Sequence, residues 1–344
     1  MFNKTYAEVL KRPGRLGSAT PITEQSIPPG SAAPVTQQFI PPESRSLTEE
    51  VRYKVGQYRF WAVLIGIDAY TQDPLRGCVS DVSLIKRFLI DDLGVPENRI
   101  QCLLGSKDPN FADPKSIRPT RANIVDTIYS LANNPEIGRG DNIIIYYAGH
   151  GSMYHCTTHE FESPCDNCPI EALCPIDRDT QDADGNWIPD ISDREVNILL
   201  AVMCRAKGHK ITVILDCGMN GGPRQRGIRG TAMTHNASLE SMLHTADERW
   251  KDLPGYRSVL SKDWWPDMDS FVALAACRGY QFAFEVEDNN EFGGVFSKEL
   301  VRVLRSTDCK EMTYDDLINC MRGLCAGKQT PFAGGNRKNE RLWN

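Results

Sequence analysis

The stretch "GDNIIIYYAGHGS", residues 140–152, is a continuous apolar run that opens on polar residues and closes on a Gly-His-Gly turn. A strand with one wet face would alternate apolar and polar residues. This one does not, so it reads as a strand buried on both faces, inside a parallel sheet. Two more runs have the same character: "YRFWAVLIGIDAY" at 58–70 and "KITVILDCGMNGG" at 210–222, the latter ending its apolar part in an acid and a thiol, Asp216 and Cys217. Ligand sites in parallel α/β sheets lie beyond the carboxyl ends of the strands. His150 and the Asp216-Cys217 pair therefore belong to the same edge.

The segments between these runs read as helices. In "CVSDVSLIKRFLIDDLG", residues 78–94, Val79, Val82, Ile85, Phe88 and Leu89 recur at helical spacing and Gly94 supplies a stop. "TRANIVDTIYSLANNP" is a helix opened by Thr120, and "SDREVNILLAVMCRAKG" one capped by Ser192 or Asp193. "RIQCLLG" and "SFVALAAC" add strands; "VFSKELVRVLR" and "TYDDLINCMRGLC" add helices. Strands alternating with helices imply an α/β domain with right-handed crossovers.

The chain has 344 residues, with 39 Lys+Arg against 45 Asp+Glu and a net charge of -6. No stretch interleaves basic and aromatic residues, which argues against nucleic acid as the main partner. No apolar run is long enough to span a bilayer, and "MFNKTYAEVLKRPG" lacks the apolar centre of a secretory signal. The expectation is a soluble, cytoplasmic protein with no membrane partner. Its 12 cysteines are scattered through a long chain, as expected of reduced thiols. Residues 1–50 carry Pro13, Pro21, Pro28, Pro29, Pro34, Pro41 and Pro42 among small polar residues. They are predicted to be a disordered segment, either a plain leader or a docking tail, ahead of one domain over 58–344.

His150 can carry protons near neutral pH, and Gly151 lets its N–H approach a carbonyl oxygen. A histidine that simply ends a strand in a Gly-rich turn is the alternative. Cys217 across from that histidine is the minimum arrangement for a cysteine nucleophile, although a lone buried thiol after a strand is often core filling.

The motifs "AVLIGIDAY", "LRGCVSDV", "PTRANI", "GDNIIIYYAGHGS", "EALCPIDRDT", "IPDISDREVN", "RAKGHKITVILDC", "ALAAC" and "QTPFAGGNRKNERLWN" occur in that order. Together they resemble the caspase/metacaspase family, in particular caspase-domain proteins of basidiomycete fungi. The resemblance implies a caspase-like three-layer α/β/α sandwich with a mostly parallel six-stranded sheet. It also implies cysteine endopeptidase activity without an organic cofactor, using a His in Y-x-G-H-G and a Cys in D-x-C-H-S-G. His150 matches the histidine. Aligned without gaps, the nucleophile's position is Gly218, followed by Met219 and Asn220, and Cys217 stands one place early. Adjacent residues at a strand end point to opposite sides, so Cys217 is expected to face away from His150. The leading expectation is a pseudopeptidase that binds basic peptide segments or regulates partners, active paralogues among them. The alternative is an active endopeptidase cutting after Arg or Lys, with Cys217 brought round by a backbone shift at Gly218 and Gly221-Gly222. A third reading is a structural module whose Pro-rich tail recruits partners.

The resemblance also assigns Asp81, Asp216 and Cys78 to a pocket for a basic side chain, where two carboxylates would favour a guanidinium. Asp81 alone would suit the first turn of a helix. Arg224, Arg226 and Arg229 lie in "GGPRQRGIRG", expected to be an exposed loop with processing sites or simply a solvated loop. Trp264 and Trp265 either wall the cleft or pin a long loop. The insertion at 155–174 gathers His155, Cys156, His159, Cys165, Cys168 and Cys174, of which the four cysteines form a possible zinc set; free thiols are the alternative. By the resemblance, calcium would be held by aspartates among Asp177, Asp179, Asp190 and Asp193, with Asp177 and Asp193 as the first choices.

Overall fold

The computed structural model describes residues 59–107, 115–154, 169–219, 227–234, 236–261, 263–288, 291–306, 311–321 and 329–343. The Pro-rich 1–50 segment, most of the Cys/His-rich insertion, Arg224 and Arg226 lie outside them.

Strands β1 (Phe60–Ile67), β2 (Ile100–Gly105), β3 (Asn142–Ala148), β7 (Ile211–Asp216), β8 (Val272–Ala275) and β11 (Phe332–Gly334) form one six-stranded sheet in the order β11-β8-β7-β3-β1-β2. All its pairings are parallel except β11 with β8. The three long apolar runs are its central strands β1, β3 and β7, buried along their whole length. Strands with no wet face must be covered from both sides. On one side lie helices α1 (Cys78–Arg87), α5 (Val295–Ser306) and α6 (Tyr314–Met321). Contacts from α5 and α6 reach alternate strand positions: Tyr146 Oη lies 2.6 Å from Ser297 Oγ, and Thr212 Oγ1 lies 3.0 Å from Tyr314 Oη. Helices α2 (Arg121–Asn133) and α3 (Asp193–Lys207) pack together on the other side. They are tied by the buried Arg121–Glu195 ion pair.

Helix starts follow the sequence signals. The Thr120 side chain accepts from Asn123 N at α2, and that of Ser192 from Glu195 N at α3. Helix α1 gives way at Phe88 to a wider turn through Asp92, and the chain reverses at Gly94, whose φ is +66°. Four features escape the periodicity reading: helix α4 (Leu239–Trp250), the antiparallel edge strand β11, a three-stranded sheet of β4 (Gly151–Tyr154), β5 (Ile170–Leu173) and β6 (Ile191–Ser192), and a hairpin of β9 (Glu285–Asp288) and β10 (Glu291–Gly294).

Gly66 sets how closely α1 lies on the sheet. A Cβ there would stand 2.7 Å from Cys78 O and 2.8 Å from a Val82 methyl. Gly66→Ala is therefore expected to lower stability by about 1–3 kcal/mol, the usual cost of overpacking. Gly138→Ala, whose Cβ would meet nothing nearer than 3.5 Å, should stay within about 0.5 kcal/mol. Urea unfolding of the two variants checks the difference.

Candidate active site

Strands β3 and β7 end level with one another, Ala148 opposite Asp216. The turn after β3 then delivers His150, and its neighbour Gly151 packs against Gly218 and Met219. The histidine's backbone is clamped: His150 N–H donates to Tyr70 Oη (3.0 Å), and His150 O accepts from Tyr147 Oη (2.7 Å) and from Cys174 N–H (3.1 Å). The ring lies 4.6 Å from that of Tyr70, tilted by 46° to it, with Nε2 2.7 Å from Asp73 O. A carbonyl can only accept, so Nε2 carries the hydrogen and Nδ1 keeps its lone pair. That Nδ1 is buried and has no hydrogen-bond partner among the described residues. Burial, the largest influence, takes the imidazole down to about 4.

Cys217 is buried, and burial pushes its thiol well above the ordinary range. Among the described residues no hydrogen bond joins its Sγ to His150. A thiol raised in this way is held in its neutral form at neutral pH.

Asp81 and Asp216 do come together, and what joins them corrects one expectation. Arg229 does not lie in an exposed loop; it is 0% exposed, with its guanidinium between the two acids. Nη1 stands 2.8 Å from Asp216 Oδ2, while Nη2 donates to Asp81 Oδ2 and lies 3.3 Å from Glu285 Oε1. The acids are held in turn. Gly294 N–H donates to Asp81 (2.8 Å), Ser297 Oγ to Asp216 (2.6 Å), and the N–H groups of Arg76 and Gly77 to Glu285. Cys78 lies beside them, its Sγ 3.6 Å from Glu285 Oε1. Burial raises Asp81 to about 7 even with the guanidinium alongside, and the neighbouring Asp216 carboxylate adds to the rise.

The backbone of Arg229 is held as firmly as its side chain. Arg229 N–H donates to Ala283 O (3.0 Å) and Glu285 N–H to Gly227 O (2.8 Å), so residues 227–229 run antiparallel to 283–285 through one bridge at Ile228 and Phe284. Arg229 O accepts from Gly218 N–H (2.7 Å) and Gly151 N–H (3.3 Å). Two N–H groups converging on one carbonyl oxygen form the arrangement that stabilises an oxyanion when a carbonyl is attacked. A Cβ built on Gly218 would lie 3.7 Å from that same oxygen. Beyond Gly230, Thr231 N–H donates to Gly151 O (2.9 Å) and Ala232 O accepts from Arg178 Nη2 (3.2 Å).

Sequence reasoning missed Glu285 and the inward course of Arg229. A signal for Arg229 existed: Asp81 in the first turn of α1 and Asp216 at the end of β7, sharing one pocket, call for a cation between them, and "GIRG" places an arginine between a β-branched residue and a glycine, as an extended segment would.

The described residues do not bring Asp177 and Asp193 into a shared ligand group. The group that does converge is Asp68, Cys78 and Glu285. Its oxygens are already taken: Asp68 accepts from Cys78 N–H (2.8 Å) and Val79 N–H (3.1 Å), capping α1, and Glu285 is bonded as above. Asp177 accepts from Arg121 N–H at the start of α2, Asp179 accepts from Thr234 Oγ1, and Asp190 is engaged by Arg178. Of the zinc set only Cys174 is described, its Sγ 3.6 Å from Asp190 Oδ2; Cys156, Cys165 and Cys168 lie outside the described residues. Trp264 is buried under the Arg194 guanidinium, 5.1 Å from its ring centroid, and so pins the loop after α4 to α3. Trp265 is exposed.

His150 gives a pH test with a definite sign. The unfolded imidazole protonates near 6.5 and the folded one near 4, so its contribution to stability is whole above pH 6.5 and drains away as pH falls towards 4. Its size is about 3 kcal/mol at ~1.4 kcal/mol per pKa unit. His150→Gln should flatten the fall in urea-unfolding free energy between pH 6.5 and 4 by about that amount. Parallel curves for the two proteins would contradict the assignment.

Comparison with known proteins bears on this geometry. The family model described as "Caspase domain" matches residues 59–339. The chain is 29% identical over 299 residues to Metacaspase-1 of Eremothecium gossypii, covering 78% of this chain and 62% of that protein. It is 30% identical over 166 residues to Metacaspase-9 of Arabidopsis thaliana, covering 47% and 43%. It therefore spans less than two thirds of the length of either relative. A crystal structure of a Geobacter sulfurreducens protein superposes with a TM-score of 0.53 at 19% identity, covering 83% of this chain and 98% of that one, which supports the fold. No helix among the described residues is long and apolar enough to cross a membrane. With the matched segment running from before β1 to beyond β11, the chain belongs to the caspase-domain family and is metacaspase-like within it.

Proposed function

We propose that the chain is a caspase-fold pseudopeptidase whose cleft is occupied by its own residues 227–231. The observation that carries this reading is the double hold on Arg229. Its carbonyl oxygen takes both N–H donors, Gly218 and Gly151, while its side chain fills the pocket of Asp81, Asp216 and Glu285. An arginine bound this way sits as the residue before a scissile bond would sit. Acyl transfer would need a sulfur at position 218 to attack the Arg229 carbonyl carbon, with the two N–H groups taking the oxyanion. His150 would accept the thiol proton at Nδ1 and pass it to the Gly230 nitrogen as the peptide bond breaks. Gly218 supplies no sulfur, so the machinery holds a peptide bond without breaking it.

On this reading, a basic peptide or an active paralogue engages the cleft only by displacing the resident segment. Such regulation would be slow to begin, because emptying the pocket leaves three buried carboxylates without their cation, at roughly 3–5 kcal/mol for a broken buried pair. The rival reading, Cys217 as nucleophile, would require the buried thiol to leave its present surroundings and reach His150.

Restoring the nucleophile tests the proposal. Gly218→Cys, made together with Met219→His and Asn220→Ser, should cut its own chain after Arg229, giving residues 1–229 and 230–344 by mass spectrometry. Adding Arg229→Ala should stop self-cutting and admit Arg-terminated fluorogenic peptides. The unaltered protein should turn over none of the Arg-, Lys- or Asp-terminated peptides, with or without calcium. Turnover by the unaltered protein that disappears in Cys217→Ala would overturn the pseudopeptidase reading.

A further inference from the structure

Asp81, besides holding Arg229, also lines a groove next to that cluster. A groove of about 910 Å³ runs between the loop after β1, the outer face of α1, the end of β2 and the β10–α5 junction. Four cations line it, Arg76, Arg87, Lys107 and Lys298, with Leu84 and Phe292 as apolar walls. Arg76 is set in place by its guanidinium stacking 5.0 Å over the Phe292 ring.

The lining sets three acids against those four cations, and two of the acids, Asp68 and Asp81, are buried. Asp68 is bonded to the N–H groups of Cys78 and Val79, and Asp81 to Arg229 and Gly294. Glu291 is the one further acid in the lining, and it is exposed. Among the described residues none of the four cations is in an ion pair with a carboxylate. In a chain of net charge -6, a groove with this excess of positive charge attracts anions against the protein's overall field.

We propose that this groove docks an acidic peptide segment in extended form. Positive side chains flanking apolar walls call for a ligand that presents carboxylates and apolar groups in alternation, which an extended chain does with its period of two. A small anion would meet the cations but leave the Leu84 and Phe292 walls uncovered. The docking is independent of whether the cleft cuts peptides.

The probe is a fluorescein-labelled ten-residue peptide of alternating Glu and Leu, titrated with the full-length protein by fluorescence anisotropy. Saturable binding is expected, weakened by raised salt. Arg87→Glu with Lys107→Glu should lose at least about tenfold in affinity and gain binding to the matching Lys-Leu peptide, as charge complementarity requires. Arg87→Gln alone, a milder change, should lose about threefold with an unaltered melting temperature. Absence of saturable binding, or equal binding by the charge-reversed protein, would overturn the proposal. Displacement of the peptide by inorganic phosphate at concentrations where chloride has no effect would also overturn it, reassigning the groove to a small phosphate ligand.

Discussion

One guanidinium among three carboxylates organises the working edge of this protein. Arg229 is fully buried, and Asp81, Asp216 and Glu285 converge on it from helix α1, strand β7 and strand β9. Each acid alone would be costly at that depth, and so would the arginine. Together they tie the end of the central sheet, the first turn of α1 and the β9–β10 hairpin to one residue. Glycine at 294 is part of the same constraint, because a Cβ there would collide with the Asp216 carboxylate and the Arg229 guanidinium. The same arginine brings its backbone along, and residues 227–229 bridge antiparallel to 283–285.

On the proposed reading, holding and cutting are separable on this edge. The histidine is clamped at its backbone by two tyrosines, fixed at Nε2 by a carbonyl, and left with a bare, buried Nδ1. The N–H donors and the acidic pocket are engaged. What the Gly218 position lacks is a side chain able to attack, and the neighbouring thiol of Cys217 is driven towards its neutral form by burial. On the proposed reading, complementarity to a bound arginine persists with no attacking side chain at position 218.

Much of the fold was legible because its signals are local. Unbroken apolar runs mark β1, β3 and β7, and the Thr120 and Ser192 caps mark α2 and α3. The edge strand β11 was not legible, since three residues carry no period. Helix α4 was hidden in a polar stretch whose buried residues, Met242, Leu243, Ala246 and Trp250, are spaced at helical intervals but sparse. At the site, His150, Asp81 and Asp216 could be placed by strand ends and by family resemblance. Arg229 could not. Its loop composition argues for exposure, and only a long-range charge balance, with Asp81 148 positions away, reverses that. Glu285 was illegible for the same reason.

The most direct test of the central claim is the susceptibility of the Arg229–Gly230 bond to trypsin in the native, unaltered protein, followed by mass spectrometry. If Arg229 is the resident occupant of the cleft, that bond stays intact while exposed arginines are cut, and Asp216→Asn makes it cleavable. Cleavage after Arg229 in the unaltered protein, as fast as at exposed arginines, would contradict the account.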